Sequence, residues 1–214
     1  MISPSLWCYS RYQELLDKKW WQGYARQSTS FAAYQKAFKH HYRGINPYRV
    51  TCQHGPHNPY GETPAKTLIR IGAMLELSPW DHLIELGSGR GRSGFFFHDY
   101  WKCSVTCLEK VPLFVEKSQA ILKDLPSLPL NIKKGDISSF DWPRGVTALY
   151  CYSTGLHQTI INSLAKQISG YSLPLRIVMI SESLPASPCL TLIETHILSF
   201  FWGKTRGHLY QYQP

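Results

Sequence analysis

Apolar positions recur along this chain at two different periods, and the change from one to the other divides it. Across residues 5–27, Leu6, Leu15, Leu16, Trp20, Trp21 and Tyr24 follow a broadly helical spacing, and Phe31, Tyr34, Phe38 and Tyr42 repeat it. Two helices are predicted there. Residues 43–64 then crowd together Gly44, Pro47, Gly55, Pro56, Pro59, Gly61 and Pro64, which is loop chemistry and the expected boundary between two regions. Beyond it, Leu68, Ile71, Leu75 and Leu77 mark a helix that ends at the turn Ser78-Pro79-Trp80-Asp81.

From residue 82 short apolar runs alternate with helical periods. Strands are predicted at 82–86, 104–108, 130–133, 148–152 and 176–180, with helices at 93–100, 111–122 and about 158–168 between them. Such alternation implies a parallel sheet covered on both faces. The end of the chain departs from it. Residues 190–201 are apolar and β-branched without a helix cap, and 207–212 form a second β-prone run after Gly203-Lys204-Thr205-Arg206, which predicts a terminal antiparallel hairpin. The expected fold is α/β: a Rossmann-like, seven-stranded, mostly parallel sheet with a C-terminal hairpin, spanning residues 59–214. A basic helical extension and lid loop, residues 1–58, precede it.

Composition refines this picture in three respects. The chain is 43% hydrophobic and 14% aromatic, which argues against disorder over most of its 214 residues. Its net charge of +9 is concentrated at the start, since residues 1–60 hold eight Lys and Arg against two acids. Such a region attracts nucleic acid, an acidic protein or an anionic membrane surface, or is simply a solvated helical face. The six cysteines lack the paired spacing of a disulfide framework and are expected to be reduced thiols of a cytoplasmic protein. No apolar run approaches the ~18 residues of a membrane span, and the first residues lack the apolar core of a signal peptide. Cys52, His54 and His57 lie close together, but without a fourth ligand at a recognised spacing no metal site is expected.

The chemistry concentrates at Ile84-Glu85-Leu86-Gly87-Ser88-Gly89-Arg90-Gly91. Gly87, Gly89 and Gly91 supply a tight turn in which a ligand lies against bare backbone and a helix N-terminus. Glu85 suits an ammonium group. Eighteen residues after Gly91 the second strand ends at Glu109, where a carboxylate can bond both ribose hydroxyls, and 27 residues further Asp136 follows the third strand, within reach of an adenine amino group. Acids at three successive strand ends fit one nucleoside lying across the sheet, with Ser88, Lys110 and Ile137 beside them. S-adenosylmethionine is the expected cofactor. A nicotinamide dinucleotide stays open, because Gly-x-Gly-x-x-Gly can also be drawn through Gly89, Gly91 and Gly94, although the terminal hairpin favours methyl over hydride transfer.

At these residues the chain resembles the Disruptor of telomeric silencing family of histone lysine methyltransferases, and more loosely the small prokaryotic and mitochondrial lysine methyltransferases. The resemblance runs from Tyr60-Gly61-Glu62-Thr63 through Glu85-Leu86-Gly87-Ser88-Gly89, Leu108-Glu109-Lys110, Gly135-Asp136 with Trp142, and Arg176-Ile177-Val178 to Trp202-Gly203-Lys204 and Tyr210. It implies that Tyr60, Glu62 and Thr63 lie over the methionine end of the cofactor, and that a protein lysine accepts the methyl group. Tyr152, Trp202 and Tyr210 are candidate aromatic walls for that lysine, and Ser153 a group to orient it. After the fourth strand, where the family carries an asparagine pair, this chain reads Tyr150-Cys151-Tyr152-Ser153-Thr154. RNA or a small molecule is therefore the alternative acceptor, and a non-catalytic protein binding nucleic acid or a partner is the alternative of another class.

Overall fold

The computed structural model describes residues 4–53, 60–126 and 128–214, with side chains from residue 10 onward. Its strands are β1 (His82–Leu86), β2 (Ser104–Glu109), β3 (Leu130–Lys134), β4 (Ala148–Cys151), β5 (Leu175–Ile180), β6 (Leu190–Phe200) and β7 (Gly203–Tyr212). They form one sheet in the order β3-β2-β1-β4-β5-β7-β6. The first five are mutually parallel, whereas β7 pairs antiparallel with both β5 and β6. The expected Rossmann-like sheet with a terminal hairpin is what forms. One boundary moves: Gly203 to Arg206, predicted as the turn, belong to β7, and the turn is Phe201-Trp202.

The central strands are buried on both faces, which is why their sequences read as nearly continuous apolar runs. Within β1, Leu83 joins one buried cluster while Ile84 and Leu86 join the other, as the two-residue strand period requires. Glu85 shares a face with Leu83, and so do Tyr150 of β4 and Val178 of β5. On the opposite face Ile161, Leu164 and Ile168 of a helix at Gln158–Ser169 cover the sheet.

Six further helices are α1 (Pro4–Gln27), α2 (Thr29–His41), α3 (Pro47–Cys52), α4 (Ala65–Met74), α5 (Arg92–Trp101) and α6 (Pro112–Asp124). The α3 helix lies where only loop was expected. Asn46 starts it by accepting from the backbone N of Tyr48 and Arg49 at 3.0 and 3.3 Å, with Pro47 at the first helical position. Among the described residues no helix is long and apolar enough to cross a membrane.

The N-terminal helices share the core of the sheet. Trp21, Phe31, Tyr34 and Tyr42 are buried in the same cluster as Leu83 and Phe95–Phe97. Tyr34 stacks on Phe95 with ring centroids 4.0 Å apart, and Trp21 meets Phe96 edge-on at 5.1 Å. Each such pair adds about 0.5–1.5 kcal/mol beyond the area it buries. Polar contacts fix the same docking. Asp99 of α5 accepts hydroxyls from Tyr24 at 2.6 Å and Ser28 at 2.7 Å. Asp17 of α1 accepts the backbone N of Ala65 at 2.7 Å, so one helix caps the start of another 48 residues away, where Pro64 provides no side-chain cap.

Candidate active site

The chain runs outward from β1 to β2 and β3, then returns to place β4 on the other side of β1. In open α/β sheets ligands bind beyond the carboxyl ends of the strands at such a reversal. Here a cavity opens at that point, between the glycine turn, the ends of β2 and β4, and the segment Tyr60 to Thr63. Gly87, Gly89 and Gly91 have φ of +74°, +55° and +73°, left-handed values that side chains rarely adopt, which is the physical demand behind the sequence pattern. The turn is held by the backbone N of Gly87 and Ser88, both donating to Leu108 O, at 2.9 and 3.0 Å.

Glu109 ends β2 with its carboxylate turned to this loop, accepting from Gly89 N at 2.7 Å and Val111 N at 2.8 Å. Burial pushes its carboxyl above the usual range. Glu85 is only 3% exposed and accepts from Ser93 Oγ and, at 3.5 Å, from Cys107 Sγ. Desolvation outweighs those bonds and raises its pKa to about 7. Asp136 lies past β3, accepting from the backbone N and hydroxyl of Ser138 at 2.8 and 2.7 Å. Although burial opposes it, these bonds hold Asp136 below the usual carboxylate range. Ile137, Leu156 and Ile160 give that end of the cavity apolar walls.

The opposite wall is an ion-pair network. Glu62 takes Arg90 on one oxygen and Arg92 Nη1 on the other at 3.1 Å, and it also accepts Tyr60 Oη at 2.6 Å. Burial alone pushes Glu62 up, yet the two guanidiniums and these bonds hold it at about 2. The Arg92 guanidinium lies 4.2 Å from the Trp21 ring centroid and that of Arg90 4.8 Å from Phe38, so the N-terminal helices buttress the wall. Thr63 Oγ1 and Tyr150 Oη are 2.7 Å apart, joining this segment to β4. Gly61 lies against Tyr152, and a Cβ there would meet Tyr152 Oη at 2.9 Å and have to displace it.

Tyr60, Glu62, Thr63, Glu85, Gly87, Ser88, Gly89, Glu109, Lys110, Asp136 and Ile137 therefore all line one cavity. Gly91 does not; it begins α5, against Ser118. The acceptor candidates separate. Tyr152 lines the cavity, and Trp202, in the hairpin turn, donates its Nε1 to Tyr152 Oη at 2.8 Å from outside. Ser153 is wholly buried and donates to Ile180 O at 2.5 Å, so its hydroxyl is committed to the backbone. Tyr210 lies in the core beneath the hairpin, accepting from Leu184 N at 3.1 Å. Ser153, Trp202 and Tyr210 are not among the described residues that line the cavity. The lining residues that sequence reasoning missed include Thr51, Arg90, Arg92, Phe114, Tyr150 and Thr154. Arg90 sits within the glycine segment and Arg92 directly follows it, and both were legible as charges needing a partner. No group of three metal-binding side chains occurs among the described residues; His54 and His57 lie outside them.

No family model matches the chain, and no curated protein does. Solved structures do. An RNA methyltransferase from Salinibacter ruber, in complex with S-adenosylhomocysteine, superposes with a TM-score of 0.57 at 20% identity, over 71% of this chain and 92% of that one. TrmN from Thermus thermophilus gives 0.57 at 11% identity, over 70% of this chain and about half, 48%, of that one. A geranyl diphosphate C-methyltransferase from Streptomyces coelicolor A3(2), with S-adenosylhomocysteine bound, gives 0.55 at 10% identity, over 70% and 79% of the two chains. The chain thus has the Rossmann-like fold of these methyltransferases: a mostly parallel seven-stranded sheet, closed by an antiparallel hairpin and preceded by N-terminal helices.

Proposed function

We propose that this chain is an S-adenosylmethionine-dependent methyltransferase. The observation that carries the reading is the convergence of Glu85, Glu109 and Asp136 on one cavity around the glycine turn, at the reversal of strand order. Glu109 keeps lone pairs for the ribose hydroxyls while its backbone bonds fix its orientation. Asp136 faces the adenine amino group between apolar walls, and Glu85 receives the methionine ammonium. Arg90 and Arg92 are committed to Glu62, so the remaining acids disfavour a pyrophosphate and suit a ligand bearing an ammonium and a sulfonium. The fold neighbours that hold S-adenosylhomocysteine support the same choice.

When bound, this cofactor supplies an electrophilic methyl group, whose C–S electron pair stays on sulfur as the acceptor's lone pair forms the new bond. The protein needs only to align the acceptor and exclude water. Tyr152, held between Gly61 and Trp202, is the aromatic residue at the acceptor end. A protein lysine, the acceptor implied by the family resemblance, was to lie between Tyr152, Trp202 and Tyr210; with only Tyr152 on the cavity, that channel lacks two of its walls. Incubation of the folded protein with radiolabelled cofactor and total cell extract tests the reading. Label in a macromolecular or small-molecule fraction supports it, and protease and ribonuclease treatment tell the acceptors apart. Absence of label from every fraction contradicts it.

A further inference from the structure

A second cavity, of about 370 Å³, lies on the far side of the Glu62–Arg90–Arg92 wall, bounded by α1, α2, α3 and the hairpin turn. It shares Tyr60, Glu62, Arg90 and Arg92 with the candidate cofactor cavity, so the two are separated by a single layer of side chains. Its size is within the range of small-molecule sites, and its walls combine aromatic rings with charged side chains. Tyr34, Phe38, Tyr48 and Phe201 contribute rings, and Gln22 and Gln35 contribute carboxamides. One feature marks it as open to a ligand. Tyr48 stands 60% exposed, a ring that packing alone leaves in water.

The charge around this cavity identifies the occupant. Lys18 and Lys39 line it together with Glu14 and Asp17, but Glu14 is paired with Arg11 at 3.2 Å and Asp17 accepts from Trp21 Nε1 at 2.6 Å and Ala65 N at 2.7 Å, which leaves the two lysines as the unmatched charges. Lys36, Lys39 and Arg43 follow one another at three- and four-residue steps along α2 and its end, and Lys18, Gln22 and Arg26 do so along α1. None of Lys18, Lys19, Arg26, Lys36, Lys39 and Arg43 has an ion-pair partner among the described residues. Two basic stripes thus flank an aromatic cavity with amide donors and acceptors inside. Phosphates track along cationic grooves, unstacked bases lie on aromatic rings, and carboxamides read base edges. An acidic peptide satisfies the lysines but leaves the rings and carboxamides without a counterpart.

We infer that this cavity receives a base of a single-stranded RNA acceptor, with α1 and α2 holding its phosphates. The inference rests on the methyltransferase reading for its catalytic meaning, though the binding site stands apart from it.

The test measures two affinities on the full chain. One is for a fluorescein-labelled single-stranded RNA of mixed sequence, across a salt series; the other is for S-adenosylhomocysteine alone. RNA is expected to bind more tightly than a duplex of the same sequence. Lys18→Gln with Lys39→Gln lowers the slope of log affinity against log salt by about 1–2 and weakens binding about tenfold at low salt. Tyr48→Ala, at an exposed position, weakens it about tenfold through lost stacking. Both variants retain the wild-type affinity for S-adenosylhomocysteine. The proposal is overturned if the variants bind RNA as the wild type does, if duplex binds equally well, or if polyglutamate competes as effectively as RNA. Loss of S-adenosylhomocysteine binding in the wild type, with RNA behaviour as stated, instead contradicts the cofactor reading and leaves the RNA site standing.

Discussion

Replacing Glu85 by Gln separates what this residue does for the fold from what it does for a ligand. Its carboxyl is 3% exposed, and desolvation raises its pKa from 4.5 to about 7. A carboxyl whose folded pKa is raised stabilises the protein fully below the unfolded value, and that stability is lost as pH rises through the folded one. At about 1.4 kcal/mol per pH unit, the gap corresponds to about 3 kcal/mol of stability lost between pH 4.5 and 8. Glu85→Gln keeps an acceptor for Ser93 but cannot ionise. In urea unfolding of the ligand-free protein, the variant is therefore expected to gain on the wild type by about 2.5 kcal/mol from pH 5 to pH 8, or about 5–10 °C in Tm. The same substitution should weaken binding of S-adenosylmethionine, because it removes the charge that faces the ammonium group. A stability difference that is equal at pH 5 and pH 8 refutes the assignment of a buried, uncompensated carboxyl.

Three other substitutions probe the walls of the site. Glu62→Gln leaves two largely buried guanidiniums without their counter-ion and is expected to cost about 3–5 kcal/mol in denaturant unfolding at pH 7; because Glu62 is held at about 2, its own contribution is full above pH 4.5 and declines as pH falls toward 2, opposite to that of Glu85. Gly61→Ala drives a methyl group against Tyr152, and overpacking of about 1–3 kcal/mol should appear as lower stability and weaker cofactor binding by calorimetry. Ser153→Ala removes one of two donors to Ile180 O, Glu182 N remaining at 3.0 Å, at a cost of about 0.5–1.5 kcal/mol, and leaves cofactor affinity unchanged; normal stability with lost turnover would return Ser153 to the acceptor site.

Most of the sheet and the glycine-turn side of the cavity were legible because their signals are local. An acid, a glycine turn with positive φ and a second acid at the next strand end are each dictated by backbone geometry within a few residues. The placement of the proposed acceptor residues was not, because it depends on contacts between distant segments. Trp202 and Tyr210 are eight residues apart in one hairpin, yet one lies in the exposed turn and the other faces the core. Ser153 follows a strand that ends in the site, but its hydroxyl turns to Ile180. The aromatic period of α1 and α2 predicted helices without naming Phe95 and Phe96 as their partners, so residues expected to form an extension became part of the core and a buttress for Arg90 and Arg92. The α3 helix carried a readable start in Asn46-Pro47, hidden among the turn residues on either side.

Titration calorimetry of the ligand-free wild-type protein with S-adenosylhomocysteine, and separately with a nicotinamide dinucleotide, tests the central claim most directly. The account predicts saturable one-to-one binding of S-adenosylhomocysteine and none of the dinucleotide. Binding of the dinucleotide, or of neither ligand, contradicts it.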